Sequence, residues 1–148
     1  MSQSRLLDTR IRSFINDHHV LGLATSVDNI PYCATAFYAF VEEFNVFVIN
    51  SSDDTKHISN VLKNNRVSGT IALETKIIGK IQGIQFCGKM VRIEEFDHQV
   101  TARKAYYRRF PYAAFSEPQL WVIEIDFVKM TDNRLGFGKK LIWNKEEL

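Results

Sequence analysis

The sequence has few of the residues that would assign it to a specialised class. Its 148 residues include two cysteines, Cys33 and Cys87, which are too few for a disulfide framework or a four-cysteine zinc site. Three prolines and seven glycines are spread along the chain without marking a linker. No apolar run approaches the roughly 20 residues that span a bilayer, and no secretory signal is visible behind residues 1–5. We therefore expect no membrane segment and a cytoplasmic location.

Charged and apolar residues occur in the proportions of an ordinary globular protein. Lysine and arginine total 19 against 17 acidic residues, a net charge of +2, and 45% of residues are hydrophobic. This balance makes a dedicated nucleic-acid binder an unfavoured interpretation, because such proteins carry an excess of positive charge. The basic run on one predicted helix is interpreted as a solvated face: Arg103, Lys104, Arg108 and Arg109. The length predicts one domain over residues 1–148.

The first half of the chain predicts one helix followed by three strands. Apolar residues share one helical face after a potential cap at Ser4, namely Leu7, Ile11, Phe14 and Ile15. Three β-branched or apolar stretches follow: Val20–Val27, Tyr32–Val41 and Val46–Ile49. The second of these has almost no polar residue, which predicts a strand covered on both faces.

The second half predicts two helices and three further strands. The helices are expected over about Asp54–Asn64 and Asp97–Phe110, and the strands over about Arg66–Leu73, Lys76–Ile93 and Trp121–Phe127, before a tail over Thr131–Trp143. Glycines inside the long fifth strand suggest bulges or bends, as at barrel corners. Strands joined mostly by short turns, with helices only interrupting the series, predict a mainly β, α+β fold. We expect six antiparallel strands that close into a small barrel, flanked by about three helices.

The junction of the third strand and the second helix is the most informative segment for function. Ser51, Thr55, Lys56 and His57 follow a fully apolar strand and surround a predicted helix start. Because a helix N-terminus offers unpaired amides and a partial positive charge, these side chains could hold a phosphate group. The competing interpretation is that Ser52 or Asp53 simply caps the helix, and the negative charges of Asp53 and Asp54 would repel phosphate unless they point away.

The residues around this junction resemble a known superfamily. Leu23-Ala24-Thr25, Pro31, Ser51, Thr55-Lys56-His57, Asn60-Val61 and Asn64-Asn65 fall into the register of the flavin-binding split barrels, the pyridoxamine 5′-phosphate oxidase-like superfamily. Three more stretches resemble its uncharacterised bacterial YhbP-like branch: Gly83–Gly88, Ala102–Pro111 and Thr131–Lys140. The chain departs from the superfamily at His57, where lysine is usual, and at Asn65, where proline is usual. A neutral imidazole brings no charge to phosphate at pH 7.

The resemblance implies a homodimeric split barrel that binds FMN in grooves at the subunit interface. It assigns the phosphate to Ser51, Thr55, Lys56 and His57, and the flavin ring to the strand of Ala34, Thr35, Ala36 and Phe37. Gln85, Lys139 and Lys140 are further candidates that would complete the groove. The implied activity is that of an FMN-dependent oxidoreductase with an unknown substrate and electron donor. No residue pattern indicates a catalytic acid, base or nucleophile of the chain itself.

Two alternatives remain open on the same scaffold. One is a non-catalytic dimeric module that binds flavin or haem, with His57 or His98 as the axial ligand of a haem. The other is a structural or regulatory dimer whose groove is empty and obstructed by Phe37, Tyr38 or Trp143. Cys33 and Cys87 are expected to be buried thiols, and the dispersed histidines do not indicate a metal site.

Overall fold

The elements were located in a computed structural model, which describes residues 6–136 and 138–147. These residues form three α-helices: α1 Thr9–Asp17, α2 Lys56–Lys63 and α3 Gln99–Arg109. They also form seven strands: β1 Val20–Val27, β2 Ile30–Val41, β3 Val46–Asn50, β4 Arg66–Ala72, β5 Gln82–Arg92, β6 Leu120–Asp132 and β7 Lys140–Asn144. All strand pairs are antiparallel. None of the helices in these ranges is long and apolar enough to cross a membrane.

The sheet curls into a ring because β6 pairs on both of its edges. The strand order is β3-β2-β1-β4-β5-β6-β7, and β6 also pairs with β3. The first five residues of β6 bond to β3, while its later residues bond to β7 along the same edge. A register shift between Cys87 and Gly88 marks a bulge in the long β5–β6 pair. A side chain at Gly88 would collide with the carbonyl of Glu124, so this bulge requires glycine.

The inside of the ring is the main hydrophobic core. Alternate residues of the strands point inward, as period-two strands dictate, and the largest of them include Leu21, Phe47, Phe86 and Trp121. Helices α1 and α2 add apolar side chains to the same core, among them Ile11, Phe14, Ile15, Ile58 and Val61. The hydroxyl of Tyr38 donates to the carbonyl of Ile15 over 2.6 Å and thereby ties β2 to the end of α1.

A second core lies outside the ring, under α3. Ala102 and Tyr106 of α3 cover outward-facing side chains of β2, β3 and β6, including Ala39, Val48 and Val122. This cover extends only to the second half of β2. The first half remains accessible, with 67% of Ile30 and 37% of Tyr32 exposed. The prediction that both faces of this strand are covered is therefore wrong for its first half.

The sequence predicts the architecture but not all of its boundaries. The α+β character and the three α-helices agree with the structure, whereas the expected six strands become seven because the tail contains β7. The fifth strand begins at Gln82 and not at Lys76, since residues 78–80 form a 3₁₀ turn. The proposed cap Ser4 lies outside the described residues. Asp8 caps α1, with its carboxylate accepting from the amide of Arg10 at 2.8 Å.

The close pairing of β1 with β4 should require glycine at position 69. A Cβ added there would collide with the carbonyl oxygen of Gly22 and with the ring of Phe86. We expect Gly69→Ala to lower the free energy of unfolding by about 1–3 kcal/mol, the usual cost of overpacking. Gly79→Ala is the matched control, because a Cβ at that position meets nothing within 4 Å. Urea unfolding measures both, and equal stabilities of the two variants would contradict this packing.

Candidate functional site

An open groove of about 730 Å³ lies on the outer face of the ring. We call it the outer-face groove. It is lined by parts of β1, β2, β4, β5 and β6: Gly22, Leu23, Ala24, Cys33, Ala34, Thr35, Ser68, Gly69, Thr70, Gln85, Phe86, Cys87 and Phe127. The groove therefore occupies the part of the sheet that α3 leaves uncovered.

The strand register explains why small side chains line the bottom of the groove, which we call its floor. Gly22 pairs with Thr35 on one side and Thr70 on the other, and Ala24 pairs with Cys33 and Ser68. Paired residues of neighbouring strands project from the same face. Two adjacent rows of small side chains therefore cross β2, β1 and β4, with Gln85 and Cys87 continuing them on β5. Such a flat, mostly apolar surface with a few polar groups suits a planar ligand.

A polar cluster lies where β3 leads into α2. We call Ser51, Thr55, Lys56 and His57 the Ser51–His57 cluster. The Oγ of Ser51 lies 2.8 Å from Nε2 of His57, and the Oγ1 of Thr55 lies 3.4 Å from the same nitrogen. Ser51 is buried and is held by its backbone, because its amide donates to the carbonyl of Gln119 and its carbonyl accepts from the indole of Trp121.

The start of α2 has no side-chain cap. Thr55 occupies the N-cap position but makes no capping hydrogen bond, and its hydroxyl donates to the carbonyl of Ser52 at 2.8 Å. The first amides of a helix have no acceptor within the helix. The first turn of α2 thus presents donors and the positive end of the helix dipole beside Lys56 and His57, an arrangement suited to an anion.

The two acidic residues of this loop are already engaged. Both carboxylate oxygens of Asp53 accept from the guanidinium of Arg92 at 3.1 Å, and Arg92 also stacks 4.6 Å from the ring centroid of Trp121. Asp54 accepts from the hydroxyl of Ser52 at 2.5 Å. The prediction that Ser52 or Asp53 caps α2 is therefore wrong, because Thr55 occupies the N-cap position. The repulsion expected from Asp53 is reduced by its ion pair.

The groove and the cluster both border the first half of β2. The ammonium of Lys56 lies 5.4 Å from the centroid of the Tyr32 ring, and Tyr32 directly precedes the groove residue Cys33, although the two side chains project from opposite faces of the strand. Among the residues expected to contact a cofactor, Ala34, Thr35 and Gln85 line the groove. The remaining residues of the prediction, other than the cluster, do not line it.

Four of the predicted residues lie elsewhere. Ala36 packs against the main core, and the ring of Phe37 contacts Phe110, with 5.8 Å between centroids. Lys139 is exposed, and Lys140, the first residue of β7, pairs with Thr131 of β6. Within this chain, none of the four therefore contributes a side chain to the outer-face groove.

Most residues of the groove floor are not among the predicted site residues. Gly22, Ala24, Ser68 and Thr70 alternate with buried residues in β1 and β4, and this alternation of small with apolar residues was the available signal. Cys33 is exposed, so the expectation of a buried thiol is wrong for it. Ala24 and Ser68 stand between Cys33 and Cys87 in the row, which places the two cysteines three strand spacings, about 14 Å, apart and excludes a disulfide within the chain.

The histidines are poorly placed to ligate a group in the groove. None of the groove-lining residues is a histidine. His98 stacks on Phe44 with 3.9 Å between centroids, and Nε2 of His57 is occupied by Ser51. The side chains suggested as obstructions are also absent from the lining, since Tyr38 and Trp143 are buried in the main core and Phe37 lies outside the groove.

Sequence relatives cover almost the whole chain. A UPF0306 protein of Yersinia pestis is 37% identical over 137 residues, covering 93% of this chain and 92% of its own length. The UPF0306 protein YhbP of Escherichia fergusonii is 38% identical over 135 residues, covering 91% of each. This chain belongs to the UPF0306 family. The YhbP-like resemblance is thereby confirmed for this UPF0306 chain, although no protein-family model matches it.

Solved structures share the fold of the UPF0306 chain at low identity. A haem-binding protein of Mycobacterium smegmatis superposes with a TM-score of 0.74 at 21% identity, over 91% of this chain and 56% of that one. A FAD-binding protein of Mesorhizobium loti gives 0.66 at 18% identity, over 85% and 95%. HutZ, the haem storage protein of Vibrio cholerae, gives 0.64 at 17% identity, over 82% and 92%. These likenesses support the split-barrel fold.

His57 should titrate below the ordinary histidine range. Burial favours the neutral imidazole and lowers the pKa of His57 from its usual value near 6.5. The unfolded chain then takes up a proton more readily than the folded one, so this residue's effect is to reduce stability as the pH falls through about 6.5. NMR titration of the imidazole, assigned with His57→Gln, measures the pKa. A value at or above the ordinary one would contradict the burial described here.

Proposed function

We propose that this chain binds FMN as a homodimer, with the flavin ring in the outer-face groove and the phosphate at the Ser51–His57 cluster. The observation that carries the proposal is that two unlike sites border the same strand. A groove with a floor of small side chains includes Cys33, Ala34 and Thr35 of β2, and an uncapped helix start carries Lys56, which contacts Tyr32 at the start of β2. FMN needs both features, because it joins a planar apolar ring to an anionic group.

Exposed apolar side chains along β2 support the dimeric part of the proposal. Ile30 and Phe37 are 67% and 60% exposed on a strand whose sequence is typical of a covered one. Phe115, at the end of the turn that follows α3, is 92% exposed. Apolar surface of this kind commonly packs against another protein surface, and a second copy is the simplest partner that could cover it.

Bound FMN would supply redox chemistry, which extends the proposal to an oxidoreductase that accepts electrons from a reduced nicotinamide or a similar donor. The protein's contribution would be to hold the phosphate with Lys56 and the first amides of α2, and to exclude water from one ring face with the groove floor. Gln85 and Thr35 would offer polar contacts within the groove.

Haem is a weaker candidate for this groove. Neighbours of the same fold include haem-binding proteins, yet the groove lining of this chain has no histidine. Haem would have to find its axial ligand among other residues, whereas the groove floor and the start of α2 already match both parts of FMN. We therefore prefer the flavin.

The direct test is a titration of the purified protein with FMN and with riboflavin, monitored by flavin fluorescence, together with sedimentation velocity. We expect saturable binding with a preference for FMN and the mass of a dimer. Turnover with a reduced nicotinamide would support the oxidoreductase, and tight binding without turnover would support a flavin-binding module. Failure to bind FMN at any attainable concentration would overturn the proposal.

Filling the floor of the groove should prevent ring binding. Ala24 lies between Cys33 and Ser68 in one of the two rows of small side chains, so Ala24→Leu would place a large side chain where the ring is proposed to lie. We expect at least about a tenfold loss of FMN affinity, comparable to an overpacking cost of about 1–3 kcal/mol. Ala72→Leu, at an exposed position of β4 outside the groove lining, is the matched control. Unchanged affinity in Ala24→Leu would place the ring elsewhere.

Removing the charge of Lys56 should weaken the contact with phosphate. A charge-assisted hydrogen bond contributes about 1.5–3 kcal/mol, so Lys56→Ala should reduce FMN affinity about ten- to hundredfold while leaving riboflavin affinity unchanged. Lys63→Ala alters an exposed lysine at the other end of the same helix and serves as the control. An equal loss for FMN and riboflavin would show that Lys56 does not contact the phosphate.

A further inference from the structure

We propose that the Ser51–His57 pair makes phosphate recognition proton-dependent, so that His57 determines how strongly the site prefers a phosphorylated ligand over its unphosphorylated counterpart. The inference rests on the proposed function and adds a regulated specificity to the same site. Its starting point is the imidazole of His57, at a position where a lysine would supply a permanent charge.

The geometry leaves the Ser51 hydroxyl dependent on the imidazole. Ser51 is 7% exposed, and Nε2 of His57, at 2.8 Å, is the one hydrogen-bond partner of its hydroxyl among the described residues. The Thr55 hydroxyl lies 3.4 Å from the same nitrogen but donates its proton to the carbonyl of Ser52. Ser51 is therefore the donor to Nε2 whenever that nitrogen carries no proton.

Protonation of His57 reverses this hydrogen bond. An imidazolium donates from Nε2 to the Ser51 oxygen, so the Ser51 hydroxyl can direct its own proton to another acceptor. One proton taken up by His57 thus adds a positive charge and also releases a hydroxyl donor. The neutral tautomer with a proton on Nε2 would release the hydroxyl as well, but it brings no charge. Both changes favour an anion over a neutral group at the start of α2.

Within the Ser51–His57 cluster, His57 is the side chain that can gain a proton near neutral pH. The charged groups around it are few. Its own loop carries Asp53, which is paired with Arg92, and Asp54, which accepts from Ser52. Strand β1 has no titratable side chain, and the facing part of β2 has only Tyr32 and Cys33. Lys56 is the remaining cation and contacts Tyr32.

A bound phosphate should shift the protonation of His57. Burial lowers the pKa of the His57 imidazole, and no charged group among the described residues adds to that shift. The ring is therefore neutral at pH 7 before a ligand binds. A nearby phosphate favours the imidazolium and raises the pKa of His57, so binding is coupled to proton uptake.

The test measures FMN and riboflavin affinities between about pH 5.5 and 8.5, a window that brackets the ordinary histidine pKa. We expect the preference of the wild type for FMN to rise, relative to that of His57→Gln, about tenfold or more toward the acid end, with riboflavin affinity constant. His57→Gln serves as the control, because it retains any effect of the ligand phosphate, whose own second ionisation lies near pH 6. His57→Lys should bind FMN tightly across the range without the His57-dependent rise.

A second measurement on the wild type does not depend on the variants. NMR titration of the His57 ring should give a higher pKa with FMN than without it, and riboflavin should leave it unmoved. Identical pH profiles of the wild type and His57→Gln, or an unmoved His57 pKa in the FMN complex, would overturn this inference while FMN binding itself stands. Failure of the wild type to bind FMN at every pH would overturn the proposed function, and the inference with it.

Discussion

Strand β6 carries the constraint on which the rest of the structure depends. Its 13 residues pair with β5 along one edge, and with β3 and then β7 along the other. Without the β3–β6 pairing the curled sheet would have two open edges and an incompletely enclosed core. With that pairing, Phe47, Phe86 and Trp121 are enclosed by the ring. The same closure brings Gln119 and Trp121 against Ser51, so it also fixes the cluster at the start of α2.

The closed ring gives β2 two different surroundings along its length. Its second half lies under α3, with Ala39 in the second core. Its first half faces outward beside β1 and β4, where Gly22, Ala24 and Ser68 leave a groove. The start of α2 reaches this half of β2 through the contact between Lys56 and Tyr32. Flat apolar surface and anion-binding donors therefore lie on neighbouring elements, an arrangement that no single motif of the chain contains.

Local patterns predicted the elements and the cluster, because both depend on residues close in sequence. Helical spacing placed the first two helices, Pro111 marked the end of the third, and the run from Ser51 to His57 is short enough for its side chains to meet at one helix start. The groove depends instead on register across five strands. Sequence alone could not show that Ala24 lies beside both Cys33 and Ser68, whereas the glycines of the fifth strand did predict a bulge, which the structure has at Gly88. Lys139 and Lys140 were assigned by resemblance, and within the chain they lie outside the groove.

The central claim is that one ligand occupies both the outer-face groove and the start of α2. Backbone amide shifts of the isotope-labelled protein during titration with FMN test it most directly. The account predicts that resonances of Ala24, Thr35 and Gln85 shift together with those of Lys56 and His57, at the same ligand concentration. Shifts confined to one of the two sites, or centred on β7 and α3 instead, would contradict it.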